Sequence, residues 1–145
     1  MKNFSLAPDG REFNLPNEEE SRIEKEEVLK ITAEQKALGR KIVTVQGMGF
    51  VGCVMAIVIA DAEDENGKPP YFVHGHQRAS NRSFWKVPVI NTGIPPVNSS
   101  DKEVPELFER CVKQKKIFRA TWHDIAYEVA DIVVVDIQLD ATKPA

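Results

Sequence analysis

Residues 41–52 read KIVTVQGMGFVG, and this stretch decides the fold. Residues 42–45 form a short β-branched run, which is typical of a strand buried on both faces of a parallel sheet. Residues 50–62 then predict a helix that is apolar nearly all round, a pattern that a surface helix would not have. A buried strand that passes through a glycine-rich turn into an apolar helix is therefore the first unit of the fold.

The chain after this unit alternates between strands and helices. Residues 71–76 predict a second strand, and a loop-like stretch of about twenty residues follows Gln77. A helix over residues 101–116, a short strand over 117–120, a short helix that Thr121 and Asp124 could cap, and a strand over 131–137 come next. This order predicts an α/β Rossmann-type three-layer fold, because right-handed crossovers place helices on both faces of a parallel sheet.

The first 40 residues have a different pattern and predict an N-terminal arm and helix, followed by one Rossmann dinucleotide-binding domain over residues 41–145. Residues 1–16 mix turn formers with scattered apolar side chains, which favours an irregular arm. Asn17 and Glu20 have capping-box spacing, and Gly39 can end the helix that they begin. Its apolar stripe is narrow, so the helix either packs on its own domain or docks on a partner subunit.

The glycines of residues 47–52 have the spacing GxGxxG and lie at the carboxyl end of the central strand. Gly47 would allow a tight turn, Gly49 would let the backbone approach a pyrophosphate, and Gly52 would let the helix pack closely on the strand. The helix N terminus would supply amide donors to the phosphates. The alternative is a tight turn without a ligand, but the flanking strands and helix favour a dinucleotide site.

The end of the second strand is where the adenosine ribose of a dinucleotide is normally recognised, usually by an acidic residue. This chain has Gln77 there, followed by Arg78, Ser80 and Arg82. One hypothesis is that guanidinium and hydroxyl groups hold the 2′-phosphate of NADP. The other is that Gln77 binds the ribose of NAD while Arg78 stacks on the adenine. The sequence leaves both open.

Composition excludes several other classes of protein. The chain has 145 residues, enough for one core, with a net charge of −3 and a pI near 5.7, so neither nucleic acid nor an anionic membrane is an expected partner. No apolar run approaches the roughly 20 residues of a spanning helix, and the N terminus lacks a secretory pattern, which predicts a cytoplasmic protein. Cys53 and Cys111 lack metal-ligand spacing and are interpreted as reduced packing residues.

The histidines do not form an obvious catalytic or metal-binding group. His74 and His76 are two residues apart on a strand and would face the same way, but no third metal ligand has a usable spacing. The simpler interpretation is that both histidines are polar residues at the end of a strand. His123 stands beside Asp124, and a role at the start of the short helix is favoured over acid–base chemistry.

Three parts of the sequence resemble a known family, the UDP-glucose/GDP-mannose dehydrogenases, which are nucleotide-sugar dehydrogenases. They are the glycine motif at residues 47–52 with its aromatic-Val-Gly ending, residues 119–134, and residues 88–108, which are similar to the family's linker. The cofactor-binding residues that the resemblance and the motif imply are Gly47, Met48, Gly49, Phe50, Val51, Gly52, Gln77, Arg78 and Gln138.

The resemblance implies a domain that binds NAD, with NADP as the alternative, in an enzyme that oxidises the C6 alcohol of a UDP- or GDP-sugar to a carboxylate. In that family a cysteine of a later domain forms a covalent intermediate, so this chain would lack the substrate domain that holds the nucleotide sugar, and we name no catalytic residue. The family commonly pairs its subunits, so a homo-oligomer is an open expectation.

The chain also departs from the family. Gln77 stands where an Asp is common, and Leu139 and Asp140 stand where a Thr-Pro pair is common. These departures support a second hypothesis, which is that the chain is a stand-alone, non-catalytic module that binds a nucleotide or a protein partner.

Overall fold

A computed structural model describes residues 3–136 of the chain. The strands within this range are β1 (Phe4–Leu6), β2 (Glu12–Asn14), β3 (Lys41–Gln46), β4 (Tyr71–His76), β5 (Phe118–Thr121) and β6 (Ile132–Val135). The helices are α1 (Glu18–Ala37), α2 (Phe50–Ala60), α3 (Lys86–Asn91), α4 (Glu103–Glu109), which continues into a π-helical turn (Arg110–Gln114), and α5 (Ile125–Glu128).

The strands β3 to β6 form one parallel sheet in the order β5-β4-β3-β6. The register pairs Gln46 with His76, and His76 with Thr121, so these residues share the carboxyl edge of the sheet. The chain runs outward from β3 through β4 to β5 and then returns to the other side of β3. The strand order therefore reverses between β3 and β6, which is the switch point of a Rossmann sheet. The predicted α/β Rossmann-type fold is confirmed.

The two faces of the sheet differ in chemistry. One face is apolar and packs against α2, α4 and the π-helical turn; its buried side chains include Val43, Val45, Val73, Phe118 and Ala120. The opposite face carries the polar side chains of Thr44, His74, His76, Arg119 and Thr121, which meet α1 and α5. The hydrophobic core therefore lies mainly on the α2 side, and the α1 side is held by hydrogen bonds.

Helix α1 packs on this polar face of its own sheet. The buried carboxylate of Glu24 accepts two hydrogen bonds from Arg119 at 2.7 Å and one from Thr121 Oγ1 at 2.6 Å. About two turns further along α1, Thr32 Oγ1 lies 3.0 Å from Nε2 of the buried His74. Val28 is fully buried between these contacts. The apolar stripe is as narrow as expected, because Val28 is its buried member and polar anchors flank it. The helix packs on its own domain, which was one of the two alternatives.

The apolar residues that were expected to bury α1 are largely exposed. Ile23, Leu29 and Leu38 are 52%, 41% and 65% exposed. The ends of the helix agree with the sequence: Asn17 and Glu20 form the capping box, and Gly39 follows the last turn with a φ of +84°. Local signals thus set the length of α1, whereas its orientation is set by residues distant in the chain.

The N-terminal arm is ordered, which corrects the expectation of an irregular segment. β1 and β2 pair as an antiparallel hairpin, with Ser5 opposite Phe13. The Ser5 side chain is buried and its Oγ accepts a hydrogen bond from the amide of Trp85 at 3.1 Å. Ala7, Trp85 and Val89 form a small apolar cluster beside it. Strands of three residues are too short to show an alternating pattern in the sequence.

Three further expectations need correction. The stretch after Gln77 contains α3, which its many turn formers hide; Pro88 is tolerated there because it stands in the first turn. The helix expected over residues 101–116 is α4 plus the π-helical turn. The expected cap is wrong for Asp124, whose side chain makes no cap bond. Thr121 Oγ1 accepts from the His123 amide at 3.1 Å, and Nδ1 of His123 accepts from the Ile125 amide, which confirms the helix-start role of His123.

The last strand, β6, lies at one edge of the sheet, and its expected end at residue 137 lies outside the described residues. Val133 and Val135 are 44% and 51% exposed. On the outer side of α2, Val51 and Val58 are exposed as well. In the described part of the chain, no helix has the length and apolar character needed to cross a membrane.

Candidate nucleotide-binding site

The glycine turn leaves β3 at its carboxyl end. Gly47 has a φ of +86°, a conformation that favours glycine, and its amide donates to the His76 carbonyl at 2.9 Å. A Cβ built on Gly52 would overlap the carbonyl oxygen of Gly47. The first turn of α2 therefore lies against the turn that precedes it, and only a glycine at residue 52 permits that approach.

The N terminus of α2 presents free backbone donors. Gly49 is the N-cap residue and supplies no side-chain cap, so the amides of Phe50, Val51 and Gly52 lack intrahelical acceptors. A Cβ built on Gly49 would meet no atom of residues 3–136 within 4 Å. Within residues 3–136 the space beside Gly49 is open, whereas a Cβ on Gly52 would lie 3.7 Å from Oδ2 of Asp136. The helix dipole favours an anion at these amides.

Met48 and Gln77 connect the glycine turn to the end of β4. The Met48 side chain is fully buried and packs over Gly75, so only its backbone faces the turn. The Met48 amide donates to Oε1 of Gln77 at 2.9 Å. Because a backbone N–H can only donate, Oε1 is fixed as the acceptor, and the outward-facing group of Gln77 is its NH₂ donor.

A cleft of about 590 Å³ adjoins the glycine turn at the carboxyl edge of the sheet. It brings together residues of β3, β4 and α5, namely Gln46, Gly47, His76, Gln77, Arg78, Asp124, Tyr127 and Glu128. Two other hollows, of about 410 and 570 Å³, are lined by residues away from the glycine motif. The cleft and the amides of α2 are the two parts of the candidate site.

His76 forms the floor of the cleft. Its side chain is 5% exposed, and its Nε2 lies 2.9 Å from Oδ1 of Asp124, whose side chain is 87% exposed. Burial lowers the pKa of His76 below its usual value, and the hydrogen bond to Asp124 opposes that shift only in part. The imidazole is therefore neutral at pH 7 and donates from Nε2 to the carboxylate.

Tyr127 lies against His76, with ring centroids 4.5 Å apart. Burial raises the pKa of its phenol to about 12, so the hydroxyl stays protonated. Within residues 3–136 this buried hydroxyl has no hydrogen-bond partner. The cleft thus combines an aromatic surface, two carboxylates and the Gln77 amide.

The structure places Gln77 and Arg78 beside the glycine motif, as the sequence anticipates, but Ser80 is engaged elsewhere. Its hydroxyl lies 2.6 Å from that of Ser83, which donates to the Arg78 carbonyl and so shapes the turn after β4. Gln138 lies outside the described residues. The sequence reasoning missed Asp124, Tyr127 and Glu128 as cleft residues; the signal that was available is that α5 follows the carboxyl end of a strand adjacent to β4.

Neither cysteine has the properties of a nucleophile. Cys53 and Cys111 are fully buried, and burial raises their pKa values to about 12 and about 11. A thiol in that state is protonated and inert at neutral pH. Among the described residues, no group of three or more histidines, cysteines or acidic side chains could hold a metal ion.

Comparison with known proteins yields one informative match. No protein-family model matches the chain, and no curated protein matches its sequence. Among solved structures, the chain is similar to the NDP-N-acetyl-D-galactosaminuronic acid dehydrogenase from Methanosarcina mazei Go1, with 30% sequence identity, a TM-score of 0.60 and 76% of this chain covered. The chain spans 22% of the length of that protein. The match confirms the resemblance to nucleotide-sugar dehydrogenases that the glycine motif carries.

Proposed function

We propose that this chain is the NAD(P)-binding domain of a nucleotide-sugar dehydrogenase. The observation that supports the proposal is that Gly47, in the turn that leads to the N terminus of α2, also lines the cleft beside Gln77. An extended ligand with a central pyrophosphate would place phosphate at the amides and a nucleoside in the cleft. The fold and the 30% identity to a dehydrogenase support the same function.

The residues fit a dinucleotide. Gly49 leaves space for phosphate oxygens near Phe50, Val51 and Gly52 amides, and Gln77 offers hydrogen-bond donors to ribose oxygens. When bound, the nicotinamide ring would accept the hydride of the oxidised alcohol. The chain's own contribution is to bind and orient the cofactor. We extend the proposal to Gln138 on the basis of the family resemblance alone.

The whole enzyme would oxidise the C6 alcohol of a UDP- or GDP-sugar to the carboxylate, with the substrate held by a further domain. The exposed apolar side chains of α2 and of β6, which include Val58 and Val133, support a covering body on this region. The protonated, buried thiols of Cys53 and Cys111 support a catalytic cysteine outside residues 1–145. We assign residues 41–145 to the cofactor domain and residues 1–40 to its N-terminal extension.

Calorimetric titration of the 145-residue chain with NAD and ADP-ribose tests the proposal. We expect saturable binding in the micromolar to millimolar range for both ligands, because they share the pyrophosphate and the adenosine. The variant Gly49→Val should bind at least tenfold more weakly, since its side chain fills the space before the amides. Absence of binding to the wild-type chain would contradict the proposal and favour a non-catalytic interaction module that retains the fold.

A further inference from the structure

We infer that Glu128 of α5 and its N-cap residue Asp124 accept hydrogen bonds from the adenosine ribose and make the site select NAD over NADP. This inference rests on the proposed dinucleotide site and names its specificity determinants. In most Rossmann sites an acidic side chain at the end of the second strand accepts hydrogen bonds from the ribose hydroxyls. Here that position is Gln77, and the acceptors come from a neighbouring element.

His76, the last residue of β4, positions Asp124. The buried His76 holds Oδ1 of Asp124 at 2.9 Å, while the carboxylate itself remains 87% exposed. Oδ1 is thus anchored at the carboxyl end of β4, and Oδ2 makes no hydrogen bond within residues 3–136. The backbone of Asp124 begins α5 without using its side chain as a cap. The carboxylate is therefore free to serve the cleft.

Glu128 is the last residue of α5, four residues after the N-cap residue Asp124, and lines the same cleft. Residues at this spacing lie on one face of a helix, so both carboxylates are on the side of α5 that borders Gln77. Glu128 is exposed and, like Asp124, offers only acceptors at neutral pH. The two carboxylates together replace the single acid of the usual site.

The hydrogen-bonding groups of the cleft suit a ribose diol. Gln77 presents its NH₂ donor outward because Oε1 is bound to the Met48 amide. Asp124 and Glu128 present acceptors. A ribose hydroxyl both donates and accepts, so it can be satisfied by this mixed set. A 2′-phosphate presents only acceptors and would meet the carboxylates without any donor of its own.

The charge of the cleft also favours NAD over NADP. Among its lining residues, Arg78 supplies one positive charge, whereas Asp124 and Glu128 supply two negative charges. His76 adds no charge at pH 7, because burial lowers its pKa. A phosphate monoester carries close to two negative charges at neutral pH. The three charged residues that line the cleft therefore sum to one negative charge, which disfavours a 2′-phosphate.

The test compares dissociation constants for NAD and NADP, measured by calorimetry on the wild-type chain and on Asp124→Asn and Glu128→Gln. We expect the wild-type chain to bind NAD at least tenfold more tightly than NADP. Each substitution should lower that ratio about threefold or more, because it removes one negative charge beside the 2′ position. Glu103→Gln is the control: it makes the same charge change on α4, outside the cleft, and should leave the ratio unchanged.

The outcomes separate this inference from the proposed function. Binding of NAD and NADP with equal affinity, or a ratio that neither substitution changes, would overturn the inference while leaving the dinucleotide site intact. Binding of neither ligand by the wild-type chain would overturn both. Circular dichroism of each variant identifies loss of folding, and since Asp124 makes no cap bond and Glu128 is exposed, both variants should retain the wild-type spectrum.

Discussion

Gly52 lies so close to Gly47 that a Cβ on Gly52 would overlap the Gly47 carbonyl oxygen. The contact joins the first turn of α2 to the turn that leaves β3. It fixes where the open amides of α2 stand relative to the cleft at the carboxyl edge of the sheet. The spacing of these two glycines is therefore a requirement of packing as well as of the site.

Substitution of Gly52 by Ala should destabilise the fold. In a helix, Ala is normally favoured over Gly by about 1 kcal/mol. At residue 52 the overlap with backbone atoms should reverse the sign and lower the free energy of unfolding by about 1–3 kcal/mol. Urea denaturation measures the change, with Gly49→Ala as the matched control, because its Cβ meets open space and should cost less than about 1 kcal/mol. A Gly52→Ala chain that is more stable than wild type would refute the packing role.

Removal of the Glu24 carboxylate should detach α1 from the sheet. Glu24 is 6% exposed and binds Arg119 and Thr121. Glu24→Ala leaves Arg119 partly buried without its counter-ion, so we expect a loss of about 3–5 kcal/mol in the free energy of unfolding. Chemical denaturation provides the measurement, and hydrogen exchange should show faster exchange of the amides along α1.

An exposed ion pair on the same helix is the control for this prediction. Glu19 and Arg22 are bonded to each other but are both more than half exposed. Glu19→Gln should change the free energy of unfolding far less than Glu24→Ala does, because solvent screens the exposed pair. If the Glu24 and Glu19 substitutions had equal effects, burial of the Glu24 ion pair would contribute nothing to the stability of the fold.

Stability should decrease as the pH falls from about 6 to 4.5. Burial lowers the pKa of His74 to about 3, and burial also lowers that of His76, whereas an unfolded histidine titrates near 6.5. Between these values the unfolded chain binds more protons than the folded chain, so protonation favours unfolding. Each such histidine contributes a slope of up to about 1.4 kcal/mol per pH unit.

Urea denaturation of the wild-type chain and of His74→Gln at several pH values measures this slope, and the difference between the two chains removes the contribution of the carboxyl groups that they share. In His74→Gln the slope should be smaller by up to one proton's contribution. An unchanged slope in the variant would mean that His74 is protonated in the folded chain.

The cysteines should be unreactive in the folded chain. Cys53 and Cys111 are fully buried, with pKa values raised to about 12 and about 11. Labelling with a thiol reagent at pH 7.5 should be at least a hundredfold slower in native buffer than in denaturant, because both access and the thiolate fraction are low. Rapid labelling of either residue in native buffer would indicate an accessible thiolate and reopen a nucleophilic role.

The sheet and the glycine turn could be predicted from the sequence because their signals are local. The β-branched runs of β3 and β6, the apolar α2 and the capping box at Asn17 each lie within a dozen residues. A parallel sheet then follows from their order along the chain. These elements agree with their expected positions to within a few residues.

The polar contacts could not be predicted, because their partners are distant in the sequence. Glu24 meets Arg119 across 95 residues, Thr32 meets His74 across 42, and Asp124 meets His76 across 48. A single polar side chain gives no periodic signal, so the sequence does not indicate which distant residue it contacts. The cleft residues of α5, by contrast, follow the carboxyl end of a strand adjacent to β4, and strand order could have indicated them.

The most direct test of the central claim is an NMR titration of the ¹⁵N-labelled chain with ADP-ribose. If the N terminus of α2 and the adjoining cleft bind a dinucleotide, the largest amide shifts should occur at Gly49, Phe50, Val51 and Gly52, with smaller shifts at Gln77 and Asp124. Shifts confined to another part of the molecule, or none at millimolar ADP-ribose, would contradict the claim.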